Sequence, residues 1–167
     1  MPELQPNNDR LASSQQSPGR GWLTISVLTF FALAASFLGG CGGGLEPAQL
    51  RLDEDACTYC RMAVSQRRFA AQAVQASRVD FFDDVGCLAA WIKEAPPPSA
   101  TALYVADYRS GEWIPAENAS YVRSQTIPSP MSYGIAAWTE SRQAAEWAQE
   151  VEGRVLTWTQ VVQEVQP

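Results

Sequence analysis

The feature that most limits what this chain can fold into is an uncharged apolar run at 22–38 (WLTISVLTFFALAASFL), closed by Gly39-Gly40-Cys41. It divides the 167 residues into a leader and a remainder that must build a core of its own. Residues 1–21 are polar, rich in Gln, Asn, Ser and Pro, and carry Arg10 and Arg20. A basic flank, an apolar segment and small residues at a cut site mark an export signal. The cysteine directly behind two glycines gives the pattern of a bacterial lipoprotein signal, with 1–40 removed and Cys41 the lipidated first residue of the mature chain. A plain membrane anchor is the competing account, because about 17 apolar residues is the lower limit for spanning. The glycines and the cysteine that end the run favour processing. Both accounts put the globular part outside the cytoplasm. The expectation is a protein held at the cell membrane by lipid on Cys41 and facing the periplasm.

Residues 41–167 are enough for one modest core. The leader holds two acids, Glu3 and Asp9, and two bases, so the net charge of −6 is the same with or without it. An acidic chain with no basic cluster excludes nucleic acid, whose phosphates need a positive footprint. Residues 41–52, with Gly42-Gly43-Gly44 and Pro47, read as the lipidated end and a flexible tether. The folded domain is expected at 53–167.

Within it, 67–75 (RRFAAQAVQ) and 79–82 (VDFF) read as strands around the short turn 76–78. Asp83-Asp84 caps a helix over 85–94 (VGCLAAWIKE), because an Asp side chain accepts from the free amides of a first turn. Ala95-Pro96-Pro97-Pro98 stops that helix, and 102–108 (ALYVADY) is a third strand. The order then recurs, with strands at 120–126 and 133–139, a helix over 142–151, a strand at 154–157 and a terminal helix at 157–165. The step from Phe82 to Trp91 equals the step from Trp138 to Trp147. The fold class expected is therefore α+β, with two ββαβ halves related as a repeat.

The chemistry concentrates in Cys57-Thr58-Tyr59-Cys60-Arg61-Met62. A haem attachment site needs histidine after its second cysteine, and Arg61 stands there. A closed zinc site needs a second ligand pair, but Cys87 is the one remaining mature thiol and the chain has no histidine. A redox pair normally opens a helix, and no helix signal follows Cys60. A structural disulfide stays open in an oxidising compartment. Met62 points elsewhere: a thioether two residues after a thiol in extended chain shares its face, and soft sulfur donors select Cu(I). Met131, in Pro128-Ser129-Pro130-Met131, is the best distant donor, with a loop plug as the alternative. Cys87 reads as a buried apolar residue or a disulfide partner rather than a ligand. Asp80, Asp83 and Asp84 read as strand-end and capping residues.

Cys57-x-x-Cys60-x-Met62, Phe82-Asp83-Asp84-x-Gly86-Cys87, Tyr104-x-x-Asp107, Trp113, Ala119-x-Tyr121-Val122 and Pro130-Met131-x-x-Gly134-x-Ala136-Ala137-Trp138, in this order, resemble the NosL family of copper-binding lipoproteins that assist nitrous-oxide reductase maturation. The resemblance spans 53–151. It implies a two-half ββαβ fold and Cu(I) bound by Cys60, Met62 and Met131, with Cys57 completing an all-sulfur set. It also implies delivery to nitrous-oxide reductase or another copper-accepting protein, with help from a membrane transporter assembly. Two positions depart from the family pattern, which has Gly where this chain has Arg61 and Ser132. The expected function is a non-enzymatic periplasmic copper chaperone. The alternative is a lipid-anchored thiol-disulfide oxidoreductase using Cys57 and Cys60. On the first reading the Cys60–Met62 segment should lie at the surface, near the Met131 loop.

Overall fold

The computed structural model describes residues 45–166, so the calls on the leader and on Cys41 lie outside the described residues. Among the described residues no helix is long and apolar enough to cross a membrane.

Strands β1 (Ala71–Gln75) and β2 (Arg78–Phe82) form a hairpin whose register closes at Gln75 opposite Arg78. Helix α1 (Val85–Glu94) follows, and β3 (Ala102–Ala106) returns antiparallel to β1 on its free side. A three-residue strand, β4 (Trp113–Pro115), completes a sheet of order β2-β1-β3-β4. The second half repeats the path. Strands β5 (Ser120–Arg123) and β6 (Ile135–Trp138) pair, α2 (Ser141–Glu150) crosses, and β7 (Arg154–Leu156) takes the other side of β5. The order β6-β5-β7 is that of β2-β1-β3, and both sheets are antiparallel. A short α3 (Trp158–Glu164) ends the domain, opened by a reciprocal cap between Thr157 and Gln160. The expected α+β architecture of two ββαβ halves is the observed one.

The matching tryptophans do the same job in each half. Trp91 packs on Phe82 with ring centroids 5.3 Å apart, and Trp147 on Trp138 at 5.1 Å. Each ring seals its helix onto the strand that precedes it, which is why the spacing is held. One core runs through both halves, with Phe82, Leu88 and Val105 meeting Tyr121, Ile135 and Val161. The sheets are joined where Asp107 bridges Ala137, and the Asp107 carboxylate takes the Thr139 amide and hydroxyl at 2.8 and 2.9 Å.

Some boundaries differ from the sequence expectation. Arg67–Phe69 is a 3-10 turn rather than the start of β1, and β5 stops at Arg123. Residues 45–50, read as the end of the tether, lie against the first sheet. The buried Gln72 accepts from the Ala48 amide (2.9 Å) and donates back to its carbonyl (3.3 Å), while Tyr104 donates to the Leu45 carbonyl (2.7 Å). A buried glutamine on a central strand needs such partners, and this stretch supplies them.

Candidate metal centre

The centre begins with how the chain turns around Cys57. The Asp53 amide donates to the Val64 carbonyl, Val64 returns a bond to Asp55, and Ala56 bridges Ala63, so the loop closes on itself. At its tip the Cys57 amide donates to the Met62 carbonyl (2.8 Å) and the Arg61 amide to the Cys57 carbonyl (3.0 Å). Arg61 makes this turn in the left-handed region, at φ 68°, where a side chain costs roughly 1–2 kcal/mol. Ser132 does the same at φ 60°. These are the two positions where the resemblance expects glycine, the residue that enters this region without a steric cost.

Three aspartates at the β2–α1 corner hold the surrounding segments. Asp80 accepts from the Thr58 hydroxyl at 3.0 Å and from Arg78. Asp83 accepts from the Ser65 amide at 2.9 Å. They therefore fix the cysteine loop on both sides of its sulfurs, and the parallel bridge between Cys57 and Phe81 seats the loop against β2. Asp84 caps α1, taking the Gly86 amide at 2.8 Å. Its other oxygen accepts from the Ser129 hydroxyl (2.6 Å) and the Met131 amide (3.1 Å). The Met131 loop is thus strapped to the start of α1. The Tyr133 ring completes the fit by lying on Gly86, where a Cβ would stand 2.0 Å from the ring.

This framework brings three thiols together. The sulfurs of Cys57, Cys60 and Cys87 all lie within 4.8 Å of one another. Cys87 is the third residue of α1 and is buried, as is Cys57, whereas Cys60 is half-buried. Met62 and Met131 are 59% and 39% exposed, each tied through its backbone to an element that carries a thiol. All three cysteines are free. A hydrogen bond from the Cys87 thiol, helped by the amides of Asp83 and Cys60, holds the Cys57 pKa below the ordinary thiol value. The same bond, together with burial, pushes the Cys87 thiol up, and burial raises Cys60. Cys57 is thus the most readily ionised of the three thiols. Thiolate is the form that binds metal, so Cys57 is the readiest soft donor of the cluster.

The NosL family model matches residues 48–166. The chain belongs to the NosL family.

Among solved structures, the crystal structure of the copper chaperone NosL from Shewanella denitrificans is similar to this NosL-family chain with a TM-score of 0.59. The match covers 68% of this chain and 93% of that one at 16% sequence identity, so the likeness is one of fold. A comparison with curated protein sequences finds no match.

Of the residues singled out from sequence, Cys57 and Cys60 meet at one point, while Met62 and Met131 stand in the two segments that frame it. Cys87 was set apart from the ligand set, and the fold places it at the centre. Its position in the first turn behind an Asp cap was legible, but the facing thiol comes from a loop 30 residues upstream through a bridge that no local pattern announces.

Proposed function

We propose that this chain is a copper chaperone that carries Cu(I) as cargo. Cys57 and Cys60 would hold it as thiolates, with Met62 and Met131 as the solvent-side thioether donors. The observation that carries this reading is three sulfurs within 4.8 Å of one another in a chain without histidine. Thiolate and thioether together favour a soft monovalent ion over harder divalent ions. Family membership and the fold of the Shewanella denitrificans copper chaperone support it.

In this account Cys57, whose pKa is held below the ordinary thiol value, provides the first donor, and Cys60 loses its proton as the ion arrives. Cys87 keeps its proton and steadies the Cys57 thiolate from behind. Donors graded from buried to exposed suit delivery, because an acceptor's ligands reach the ion from the open side before the inner thiolate lets go. We extend the proposal to attachment at the membrane through Cys41, a periplasmic location, and nitrous-oxide reductase as the acceptor, with a membrane transporter assembly assisting. These follow from the family resemblance and the leader pattern.

The test is competition for Cu(I) against a chromogenic chelator, with the protein kept reduced. One equivalent should bind. Cys60→Ser, Met62→Leu and Met131→Leu should each weaken binding, with the thiol variant affected most. Wild-type protein that fails to take up copper, or methionine variants that bind as wild type does, would sink the assignment. A second reading, thiol-disulfide exchange by the Cys57 thiolate, draws on the same short distances between sulfurs. Fast turnover of a disulfide substrate, unaffected by Met62→Leu, would favour it.

A further inference from the structure

The ten arginines and lysines between residues 45 and 166 are mostly committed. Arg51, Arg78, Arg123, Arg142 and Arg154 are ion-paired, and Lys93 donates to the carbonyls of Gln163 and Val165. Apart from Lys93, four have no carboxylate within 4.0 Å among the described residues. One of these, Arg61, is at the tip of the cysteine loop. The other three, Arg67, Arg68 and Arg109, line a single hollow of ≈ 350 Å³, together with Ser65, Ser110 and Gly111. Arg109 is remote from the other two along the chain, so composition shows no basic cluster and only folding assembles one.

The three guanidinium groups are set in place rather than loose. The Cζ atom of Arg67 lies 4.2 Å from the Trp113 ring centre, that of Arg68 5.3 Å from Tyr108, and that of Arg109 5.5 Å from Trp138. Such seats hold a cation at its face and leave its N–H edges free. Tyr108 is itself packed on Phe69, Trp138 and Trp147, which ties the platform to a buried cluster that also holds Val122, Ala136 and Ala144. Nε of Arg67 donates to the Gly111 carbonyl at 2.7 Å, which fixes the direction of its two terminal nitrogens. Burial lowers the Arg67 pKa from its ordinary value, and no anion offsets it.

Of the acids close by, Asp107 and Asp83 are engaged with neutral donors. Asp107 accepts from the amides of Arg109 and Ser110 and the Ser110 hydroxyl on one oxygen, and from Thr139 on the other. Asp83 takes the Ser65 amide, and Glu112 is exposed and in no ion pair. Like charges gathered with no carboxylate at ion-pairing distance are unfavourable unless something anionic joins them.

We propose that this hollow is a binding site for a phosphate-type oxyanion, separate from the sulfur centre. Three guanidinium forks present more donors and more charge than one carboxylate can satisfy. A tetrahedral oxyanion, with acceptors in several directions, suits them better. Free phosphate and the phosphodiester of a lipid headgroup share that chemistry.

The test is calorimetric titration of the full chain in detergent, free of copper, at low ionic strength. Inorganic phosphate and the water-soluble diester glycerophosphoglycerol are the two ligands. One ligand should bind per chain, and the triple variant R67Q/R68Q/R109Q should bind at least about tenfold more weakly. Arg67 is half-buried, so R68Q/R109Q is measured as well. Both its arginines are exposed, and an unchanged melting temperature shows that the fold is kept. Equal affinity for the two ligands identifies a lipid headgroup as the source, and a clear preference for inorganic phosphate identifies free phosphate. No binding of either ligand overturns the proposal, as does unchanged binding in R68Q/R109Q. Acetate competing as well as phosphate at matched ionic strength also overturns it, in favour of an acidic protein segment. Copper takes no part in the measurement, so its result is independent of the chaperone reading.

Discussion

The two halves share a path but not a chemistry. Each runs hairpin, helix and returning strand, and each uses an aromatic residue at the end of its second strand to hold a tryptophan of its helix. The corner between strand and helix is where they part. In the first half Asp84 is buried and bonds the Gly86 amide, the Ser129 hydroxyl and the Met131 amide. Its counterpart Glu140 is exposed and makes no cap bond. In α1 every residue from Val85 to Ala90 is buried, whereas in α2 only Ala144 and Ala148 are. Counting along from those corners, Cys87 corresponds to Gln143 and Gly86 to Arg142. The scaffold alone does not make a centre. The β5–β6 connection covers the first corner, and the covered corner is where thiols and a buried carboxylate accumulate.

The largest expected effect separates the two cap positions. Asp84→Ala removes a cap, worth about 1 kcal/mol, and leaves the Ser129 hydroxyl and Met131 amide without their acceptor, each costing about 1–3 kcal/mol. Chemical denaturation should show a loss of about 3 kcal/mol, against less than about 0.5 kcal/mol for Glu140→Ala at the surface. Similar losses at both sites would erase the asymmetry.

Next is the pair two residues further on. Gly86→Ala drives a methyl into the Tyr133 ring and should destabilise by about 2 kcal/mol, within the range for overpacking. Arg142→Ala, whose one ion pair among the described residues is long and exposed, should be neutral in the same unfolding experiment. A neutral Gly86→Ala would mean that the Tyr133 loop moves freely.

The third test is of protons. Burial raises the Cys60 thiol and the bond to Cys57 raises Cys87, so both are protonated at neutral pH. Each thiol that joins the ion must release its proton. Apparent Cu(I) affinity should therefore fall as pH falls, about tenfold per pH unit for one proton released. Competition titrations at several pH values measure the slope. A slope near zero would mean that no thiol releases a proton when the ion binds.

The smallest effect concerns strain. Arg61→Gly relieves a left-handed arginine but loosens the unfolded chain, for a net gain of about 0.5–1 kcal/mol in unfolding free energy. Arg154→Gly, on a regular strand of the second half, should lose stability instead. A loss in Arg61→Gly would show that the side chain supports the loop in some other way.

Much of the architecture was readable from local pattern. The proline stop after α1, the acidic pair before it and the equal aromatic spacing each have a short-range physical cause. Strand β4 escaped notice because Trp113-Ile114-Pro115 is too short to alternate and ends in proline. The docking of 45–50 escaped because it depends on Gln72, a polar residue that a strand pattern assigns to solvent. At the site, Cys57 and Cys60 declared themselves by spacing. Cys87 did not, since its role depends on the bridge between Cys57 and Phe81, and bridges between distant segments leave no period in the sequence. The strain at Arg61 and Ser132 was legible only by comparison, since neither residue signals a positive φ but both stand where the family pattern has glycine.

One consequence of the Asp84 carboxylate concerns motion. It holds the first turn of α1 and the Met131 strap at once, so neither can open without disturbing the other. The amides of Gly86 and Met131 should then exchange hydrogen for deuterium as one cooperative unit, with a common opening free energy. Whatever loosens the helix start also frees the Met131 loop, so a local fray at one end of α1 spreads to the β5–β6 connection.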